Sequence, residues 1–302
     1  MPQLTRPSKP QPKYRKTLNH DQRVTLALLY KFRFSTGEQI ANYSGKPHAK
    51  FVQKRLQILE DQELIAKRYD KSYKLRGKPA TYYLLPAGAR ALARLTRRDA
   101  DEPINLQTIY KDRDVSENFI SHCTNIMSAY LVFRSHYGDQ LEFFTKSDLR
   151  YDHYDYYPQP LPDAYITLET TNGPRQFFLD IFEDTTPYFV LLRRVKKYFS
   201  YAEEGDWAIE DSPLPTILLV CESPSTQKRL RKRITKVLIE SYETVNFATT
   251  IASQLLEITQ VSPRIWTPVD EYGDDPDEPV VPQSLNGIIL TAPNTSHPQE
   301  KA

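Results

Sequence analysis

The chain has few of the residues from which disulfide frameworks, nucleotide-binding loops and membrane spans are built. Its two cysteines, Cys123 and Cys221, are too few for a disulfide framework and lack the spacing of a metal site. It has nine glycines and no G-x-x-x-x-G-K-S/T sequence, which excludes an ATP-driven motor of the P-loop type. No apolar run approaches the roughly 18 residues of a membrane span, and the N-terminal MPQLTRPSKPQPKYRK has no apolar signal segment. We therefore expect an intracellular, cytoplasmic protein without membrane contact.

Histidines are also sparse, and no two of the six lie closer than fourteen residues in the sequence. A relaxase or a rolling-circle initiator needs a closely spaced histidine pair to hold its metal beside a tyrosine nucleophile. That signature is absent from the sequence. We therefore interpret the tyrosine-rich run YDHYDYYPQP at 151–160 as a packed or base-stacking loop and not as a cluster of nucleophiles.

Charge is divided unequally along the chain, although the whole protein carries a formal net charge of only +2. The first hundred residues contain 22 Lys and Arg against 7 Asp and Glu, a balance of +15, and the remainder has a balance of −13. Such asymmetry predicts an N-terminal part that binds a polyanion, joined to a part with another role. Nucleic acid is the expected partner of the basic part.

Residues 20–95 have the pattern of three short helices, a two-stranded basic wing and a closing helix, which predicts a winged helix-turn-helix domain. Thr36 is a natural N-cap, and Gly45 with Pro47 separates the second helix from the third. The predicted segments are His20–Arg33, Thr36–Tyr43, Pro47–Gln62, the wing ELIAKRYDKSYKLRGKPATYYLL and the helix PAGARALARL.

The third helix and the wing provide the candidate DNA contacts. We expect Phe51, Leu56 and Leu59 of this helix to face the core, which leaves its polar side for the major groove. Gln53 is the candidate base reader because an amide can pair bidentately with adenine, whereas wing contacts fix position more than sequence. A solvated face, or a protein-binding or dimerisation surface, is the alternative. The candidate DNA-binding residues are Lys46, His48, Lys50, Gln53, Lys54, Lys67, Arg68, Lys74, Arg76 and Lys78.

The second part of the chain alternates helical and strand-like segments, which predicts an α/β layer structure with a mixed sheet. The run TILLVC is continuously apolar, as expected for a strand buried on both faces. The predicted helices are Asp114–His136, Tyr188–Ala202 and Thr226–Ser241, and the predicted strands are Leu141–Lys146, Ala164–Glu169, Gln176–Phe182 and Thr216–Cys221. The predicted organisation is a disordered basic arm at 1–17, the winged helix-turn-helix at 18–100, the α/β domain at 104–266 and a disordered acidic, Pro-rich tail at 267–302.

Two aspartates occur where adjacent strands of the predicted sheet would bring them together. Asp163 follows Pro162 at the start of one strand, and Asp180 lies near the end of the next. Two carboxylates placed in this way can bind one Mg²⁺ ion, which accepts one or two protein carboxylates and keeps its waters. With a lysine that stabilises charge on the phosphate, this is the arrangement of PD-(D/E)XK nucleases. Asp163 and Asp180 are therefore the candidate catalytic and metal-binding residues, with Mg²⁺ as the candidate cofactor.

The lysine of that nuclease arrangement is missing from its usual place. The residue two after Asp180 is Phe182, which cannot supply a positive charge. Lys196 or Lys197 on the following helix is the candidate replacement, with Glu183 as a third ligand. Two other interpretations stay open. In one, the first aspartate caps or kinks a strand while the second pairs with an arginine; in the other, the pair forms a non-catalytic metal site or a DNA-end site.

The order of several sequence runs resembles the replication-relaxation family of mobile-element proteins. LLYKFRFSTGEQIANY, LQILEDQELIAKR and RGKPATYYLLPAGARAL are similar to its winged-helix front, and SENFISHCTNIMSAYLVF, LPDAYITL, FFLDIFEDT and RRVKKYFSYA continue the likeness over roughly residues 20–235. His122 stands where that family often carries a histidine. From its place on the helix we interpret it as a core histidine bonded to a backbone carbonyl, or alternatively as a catalytic residue or a ligand. Where the family carries Glu-x-Asp this chain has Asp-Ile-Phe at 180–182, and where the family has a lysine before a tyrosine it has Arg194 before Tyr198.

The resemblance implies a DNA-binding accessory protein of a plasmid or mobile element, acting in replication, DNA relaxation or mobilisation, with a degenerate nuclease-like second domain. Its expected partners are double-stranded DNA, a relaxase or replication proteins, and a second copy of the chain in a homodimer. The first alternative is an active Mg²⁺-dependent endonuclease that uses Asp163 and Asp180. The second is a winged-helix transcriptional repressor whose C-terminal half dimerises or senses a ligand.

Overall fold

The computed structural model of the chain describes residues 17–96, 106–149, 156–171, 173–205, 207, 212–241, 243–258, 263–270 and 280–288. The chain divides into two units, Met1–Ile120 and Ser121–Ala302. The predicted basic arm at 1–17 lies outside the described residues except for Thr17, and so does most of the predicted tail. No helix in the described part of the chain is long and apolar enough to cross a membrane.

The first unit combines helices with a small antiparallel sheet of three strands. Its elements are α1 His20–Phe32, β1 Phe34–Thr36, α2 Gly37–Tyr43, α3 Lys50–Asp61, β2 Ile65–Arg68, α4 Lys71–Leu75, β3 Thr81–Leu84, α5 Pro86–Thr96 and α6 Leu106–Lys111. The strand order is β1-β3-β2, with Ser35 opposite Tyr82 and Ala66 opposite Tyr83. This order of helices and strands agrees with a winged helix-turn-helix, and that assignment stays a prediction.

A capping box sets the start of α2, and a glycine sets the position of α5. Thr36 accepts a hydrogen bond from the backbone N–H of Gln39, and the Gln39 side chain accepts one from the backbone N–H of Thr36, so α2 begins at the predicted cap. Gly88 in α5 lies against the carbonyl of Leu64, where an added Cβ would come within 2.1 Å of the oxygen. Only glycine allows this close approach of helix and backbone.

The predicted wing contains a short helix that the sequence pattern did not indicate. Asp70 accepts hydrogen bonds from the backbone N–H groups of Ser72 and Tyr73, and this cap begins α4 between β2 and β3. Tyr73 is buried, whereas Leu75 at the end of α4 is 87% exposed. The two strands of the wing, β2 and β3, are otherwise paired as predicted.

The third helix is shorter than predicted, and the residue of its first turn that faces the core is one position later than predicted. It begins at Lys50 and not at Pro47. The prediction that Phe51 faces the core is wrong, since its side chain is 54% exposed and Val52 is buried instead. Val52 precedes the buried Leu56 by four residues, which is the spacing of one helical face, whereas Phe51 precedes it by five.

The second unit is built on a mixed sheet, as predicted, and the sheet has six strands, two more than the sequence pattern indicated. Its elements are α7 Glu117–Tyr137, within which the division of the chain falls, β4 Leu141–Thr145, β5 Ala164–Leu168, β6 Arg175–Phe182, α8 Tyr188–Glu204, β7 Thr216–Cys221, α9 Pro224–Glu240, β8 Phe247–Ile251, α10 Ala252–Leu256 and β9 Thr267–Val269. The strands lie in chain order from β4 to β9. The first three are antiparallel, β6, β7 and β8 are parallel, and β9 is antiparallel to β8.

The end of this sheet differs from the prediction. The disorder predicted from Thr267 onward is wrong for the three residues of β9, which pair with β8 so that Val269 lies opposite Phe247. Arg231 of α9 donates hydrogen bonds to the carbonyls of Thr267 and Pro268 at 3.2 and 2.8 Å. Trp266, just before the strand, is only 1% exposed. These contacts attach the segment to the domain that was predicted to end at residue 266.

Aromatic side chains pack one face of the sheet. Tyr156 and Tyr157 stack with ring centroids 4.8 Å apart, and both lie close to Trp207. Tyr157 is buried in the core against Phe178 of β6. These two residues of the tyrosine-rich run are therefore packed, while residues 151–155 lie outside the described part of the chain.

Candidate functional site

Asp163 and Asp180 lie side by side in the sheet of the second unit. β5 and β6 pair antiparallel with Ala164 opposite Leu179, so the residue before β5 falls beside Asp180. The backbone N–H of Asp163 donates to Oδ1 of Asp180 at 3.2 Å. Both aspartates are only 4% exposed. Because a buried carboxylate is stable only when it is paired and hydrogen-bonded, the groups that surround the two aspartates define the site.

An arginine and a tyrosine of α8 hold Asp180. Arg194 donates from Nε to Oδ2 at 2.6 Å and from Nη2 to Oδ1 at 3.3 Å, and the hydroxyl of Tyr198 donates to Oδ2 at 2.7 Å. The two side chains reach the same carboxylate because they are four residues apart, about one helical turn. Arg194 also donates to the carbonyl of Pro160. The interpretation that the second aspartate pairs with an arginine is confirmed.

The charges of this group shift its pKa values. Burial alone would lower the pKa of Arg194, but the adjacent charge of Asp180 raises it well above its usual range. Burial and the same carboxylate raise the pKa of Tyr198 well above its usual value of 10.0. Around neutral pH, Arg194 therefore stays charged and the hydroxyl of Tyr198 keeps the proton that it donates.

A lysine and a histidine from other elements hold Asp163. Lys146, directly after β4, donates from Nζ to Oδ1 of Asp163 at 2.6 Å, and Nε2 of His122 on α7 lies 2.9 Å from the same oxygen. The backbone N–H of Ile181 donates to Oδ2 at 2.9 Å. Burial alone would raise the pKa of Asp163, but the charge of Lys146 and the hydrogen bond with His122 hold it well below its usual range. These contacts show that Asp163 binds Lys146, His122 and the backbone of β6, which the interpretation of Asp163 as a residue that caps or kinks a strand did not include.

His122 is bonded to a carboxylate, so the predicted bond to a backbone carbonyl is wrong. Its Nδ1 lies 3.8 Å from Oε1 of Glu183, and that oxygen accepts a hydrogen bond from Asn125 at 2.9 Å. Burial alone would lower the pKa of His122, but the hydrogen bond and charge of Asp163 raise it above the usual 6.5. An ionised carboxylate is the stronger acceptor, which explains why the imidazole turns to it.

The ligands that these side chains offer do not fit a Mg²⁺ ion. A carboxylate offers about four lone-pair sites, and Asp180 already accepts from Arg194 twice, from Tyr198 and from the N–H of Asp163. The ammonium group of Lys146 lies against Asp163 where a cation would bind. Within the described residues, no three His, Cys, Asp or Glu side chains are grouped to hold a metal. The internal cations already neutralise the charges that would attract Mg²⁺.

A pocket of about 400 Å³ opens beside the two aspartates. The charged and titratable side chains of its lining are Asp163, Asp180, His122, Lys146, Arg193, Arg194 and Lys197. Of the two lysines expected to reach inward, Lys197 lines the pocket, whereas Lys196 is exposed and lies outside the lining. Glu183, the candidate third ligand, is also outside the lining. The basic groups outnumber the two carboxylates.

Part of the predicted DNA-binding set in the first unit is exposed. Eight of its ten side chains are exposed: Lys46, His48, Lys50, Gln53, Lys54, Lys67, Lys74 and Arg76. Val52, Leu56 and Leu59 are buried on the opposite side of α3. The exposed face of α3 is positively charged, as the sequence predicts, because Lys50 and Lys54 lie on it. Lys67, which follows on β2, lies 3.7 Å from Glu60 in an ion pair.

Three of the predicted wing residues make contacts within the first unit. Arg68 donates to the backbone carbonyls of Arg113 and Val115 at 2.5 and 3.2 Å. Arg76 donates to Glu117 through both terminal nitrogens at 2.9 and 2.8 Å, and Lys78 donates to it at 3.2 Å. The hydrogen bonds from these two side chains lower the pKa of Glu117 to about 2. The sequence pattern gives no sign of these internal partners, because they lie about 40 residues away along the chain.

The sequence prediction does not include Lys146 as a member of the site. The sequence does contain an indication of this role, because Leu141–Lys146 and Ala164–Glu169 are both predicted as strands and could pair. An antiparallel pair with Thr145 opposite Ala164, as the structure has it, brings the next residues, Lys146 and Asp163, together. The sequence pattern does not fix this pairing register, so it favours a lysine on the helix after β6 instead.

The fold and the site together define an α+β protein whose mixed sheet carries a buried pair of carboxylates held by internal cations. A sequence model of the replication-relaxation family matches residues 26–215, and the chain belongs to this family. No curated protein matches the chain.

Solved structures give only a weak likeness. Two structures of the restriction endonuclease FokI, one of them bound to DNA, each match with 12% sequence identity and a TM-score of 0.29. Each match covers 78% of this chain and 43% of that chain, so this chain spans less than half of the FokI chain. A likeness of this strength carries no argument about the present site.

Proposed function

We propose that the chain is a DNA-binding accessory protein of a plasmid or other mobile element, acting in replication, DNA relaxation or mobilisation. In this proposal the first unit binds duplex DNA and the second unit does not cleave it. The observation that carries the proposal is the exposed, positively charged face of α3 in a member of the replication-relaxation family. Double-stranded DNA is the partner with the matching charge.

The geometry of α3 supports contact with a duplex. Val52, Leu56 and Leu59 bury one side of the helix in the core, so Lys50 and Lys54 lie on the side that faces solvent. A helix of this kind fits the major groove, where such side chains reach phosphates and base edges. Gln53 lies exposed between the two lysines in the sequence, where its amide would be available to a base.

The salt dependence of binding tests this interface. The double variant Lys50→Ala/Lys54→Ala should bind a duplex more weakly, and its slope of log affinity against log salt should be shallower by about 0.9 for each phosphate that the variant no longer neutralises. The measurement is fluorescence anisotropy of a labelled duplex over a series of KCl concentrations. Arg94→Ala, which removes a positive charge from an exposed position on α5, is the control and should keep the wild-type slope. Equal slopes for the double variant and the wild type would refute the interface.

A second double variant separates the helix from the wing. Arg76→Ala/Lys78→Ala removes the same formal charge, but both side chains already share Glu117. We therefore expect a smaller change of slope than for the α3 variant. A larger change would assign the main phosphate contacts to the wing.

The contacts of the two aspartates support a second unit that does not cleave DNA. Asp180 has four hydrogen-bond donors around its carboxylate, and Asp163 is neutralised by Lys146. Supercoiled plasmid incubated with the protein and Mg²⁺ or Mn²⁺ should therefore stay supercoiled on an agarose gel. Nicking by the wild type that disappears in Asp163→Ala would replace this proposal by the metal-dependent endonuclease.

A further inference from the structure

The pocket beside the two aspartates has more positive charge than its own carboxylates neutralise. Four Lys or Arg side chains and two aspartates line it, which leaves two positive charges in excess even when His122 is neutral. Its volume of about 400 Å³ is within the range of pockets that hold small ligands or parts of larger ones. An anion is therefore the ligand class that fits its charge.

The basic groups differ in whether they can still bind a ligand. Arg194 is 8% exposed and directs Nε, Nη1 and Nη2 to Asp180, Pro160 and Tyr198, so it serves the protein itself. Lys146 uses Nζ for one bond to Asp163, and its side chain is 39% exposed. An ammonium group has three donors, so two remain.

Two further cations complete the available set. Arg193 and Lys197 are exposed and line the pocket from α8, where they are four residues apart and therefore on one face of the helix. Arg193 lies over the ring of Phe189, with 5.8 Å between the guanidinium carbon and the ring centroid. Lys146 approaches from the end of β4, so the donors come from two different elements.

We propose that this pocket binds a phosphate group of a DNA strand through Lys146, Arg193 and Lys197, without a bridging metal ion. A phosphate has several acceptor oxygens and one to two negative charges, which match three converging cationic donors. Lys146 thereby contacts two groups at once. One of its N–H groups donates to Asp163, and the other two are available to the phosphate oxygens. The choice of DNA as the source of the phosphate rests on the proposed function, whereas the phosphate chemistry follows from the pocket.

Two sources of phosphate are to be distinguished, a terminal phosphate monoester and an internal phosphodiester. The probes are single-stranded oligonucleotides of one sequence with a 3′ fluorescent label and either a 5′ phosphate or a 5′ hydroxyl, in buffer with EDTA. Binding to the full-length wild type, to Lys197→Ala and to Lys196→Ala is measured by anisotropy. The two variants remove the same charge from adjacent exposed positions of α8, but only Lys197 lines the pocket.

We expect Lys197→Ala to weaken binding about tenfold, the scale of one charge-assisted contact, and Lys196→Ala to change it much less. A loss confined to the 5′-phosphate probe, with competition by inorganic phosphate, identifies a terminal phosphate. Equal loss on both probes identifies an internal phosphodiester. Equal behaviour of the two variants overturns the proposal.

Duplex binding in the same preparations separates this inference from the proposed function. If the α3 variant loses duplex binding while Lys197→Ala and Lys196→Ala behave alike, only the pocket proposal fails. If Lys197→Ala alone weakens binding of the single strand while no variant of α3 affects the duplex, the pocket proposal stands and the proposed role of the first unit fails.

Discussion

Replacing Arg194 with alanine should lower the free energy of unfolding of the protein by about 3–5 kcal/mol, the usual effect of removing one partner of a buried ion pair. The carboxyl group of Asp180 would be left buried in the sheet with only the hydroxyl of Tyr198 and one backbone N–H as partners. The carbonyl of Pro160 would also lose its donor. Urea unfolding followed by circular dichroism measures the change.

Two companion variants identify the buried charge as the cause. Arg193→Ala, at the exposed neighbouring position, should change the stability by no more than a few tenths of a kcal/mol, as surface substitutions usually do. Asp180→Asn added to Arg194→Ala removes the uncompensated charge and should recover part of the loss. Equal destabilisation by the Arg193 and Arg194 variants would contradict the role of the ion pair.

The sequence predicts the elements that have a strong periodic or continuous apolar pattern. β7 occupies the predicted residues Thr216–Cys221, because a run of six apolar or β-branched residues has few alternatives to a buried strand. α8 begins at the predicted Tyr188. The patterns fail where local chemistry or distant contacts decide. α4 depends on the cap formed by Asp70, and β9 depends on pairing with β8 and on hydrogen bonds from Arg231.

The candidate site can be predicted only in part, because strand adjacency is easier to infer than side-chain partners. β5 and β6 are consecutive strands joined by only six residues between Leu168 and Arg175, and their antiparallel register brings Asp163 and Asp180 together. The pairing of Lys146 with Asp163 depends on the register of β4 against β5, across a connection of 18 residues between Thr145 and Ala164. A short turn fixes register, and a long connection does not.

The contact of His122 with Asp163 should make the stability of the protein depend on pH. Asp163 raises the pKa of His122 above 6.5 in the folded protein. A raised pKa means that this contact contributes its full stability below about pH 6.5 and loses it as the pH rises through the pKa of the folded state. The free energy of unfolding of the wild type, compared with that of His122→Gln, should therefore fall from pH 6 to pH 8. Urea unfolding at both values measures it.

Removing the charge of Asp163 should reverse this dependence. In Asp163→Asn, burial and the charge of Lys146 both lower the pKa of His122, and only Glu183 opposes them. A pKa of His122 below 6.5 in the folded variant favours the neutral imidazole there, so stability should rise from pH 6 to pH 8. Histidine ring proton shifts in the NMR spectrum follow the pKa directly in both proteins. If the pKa of His122 is the same in the wild type and in Asp163→Asn, the two side chains share a neutral hydrogen bond, and the charge of the imidazole does not help to hold the carboxylate.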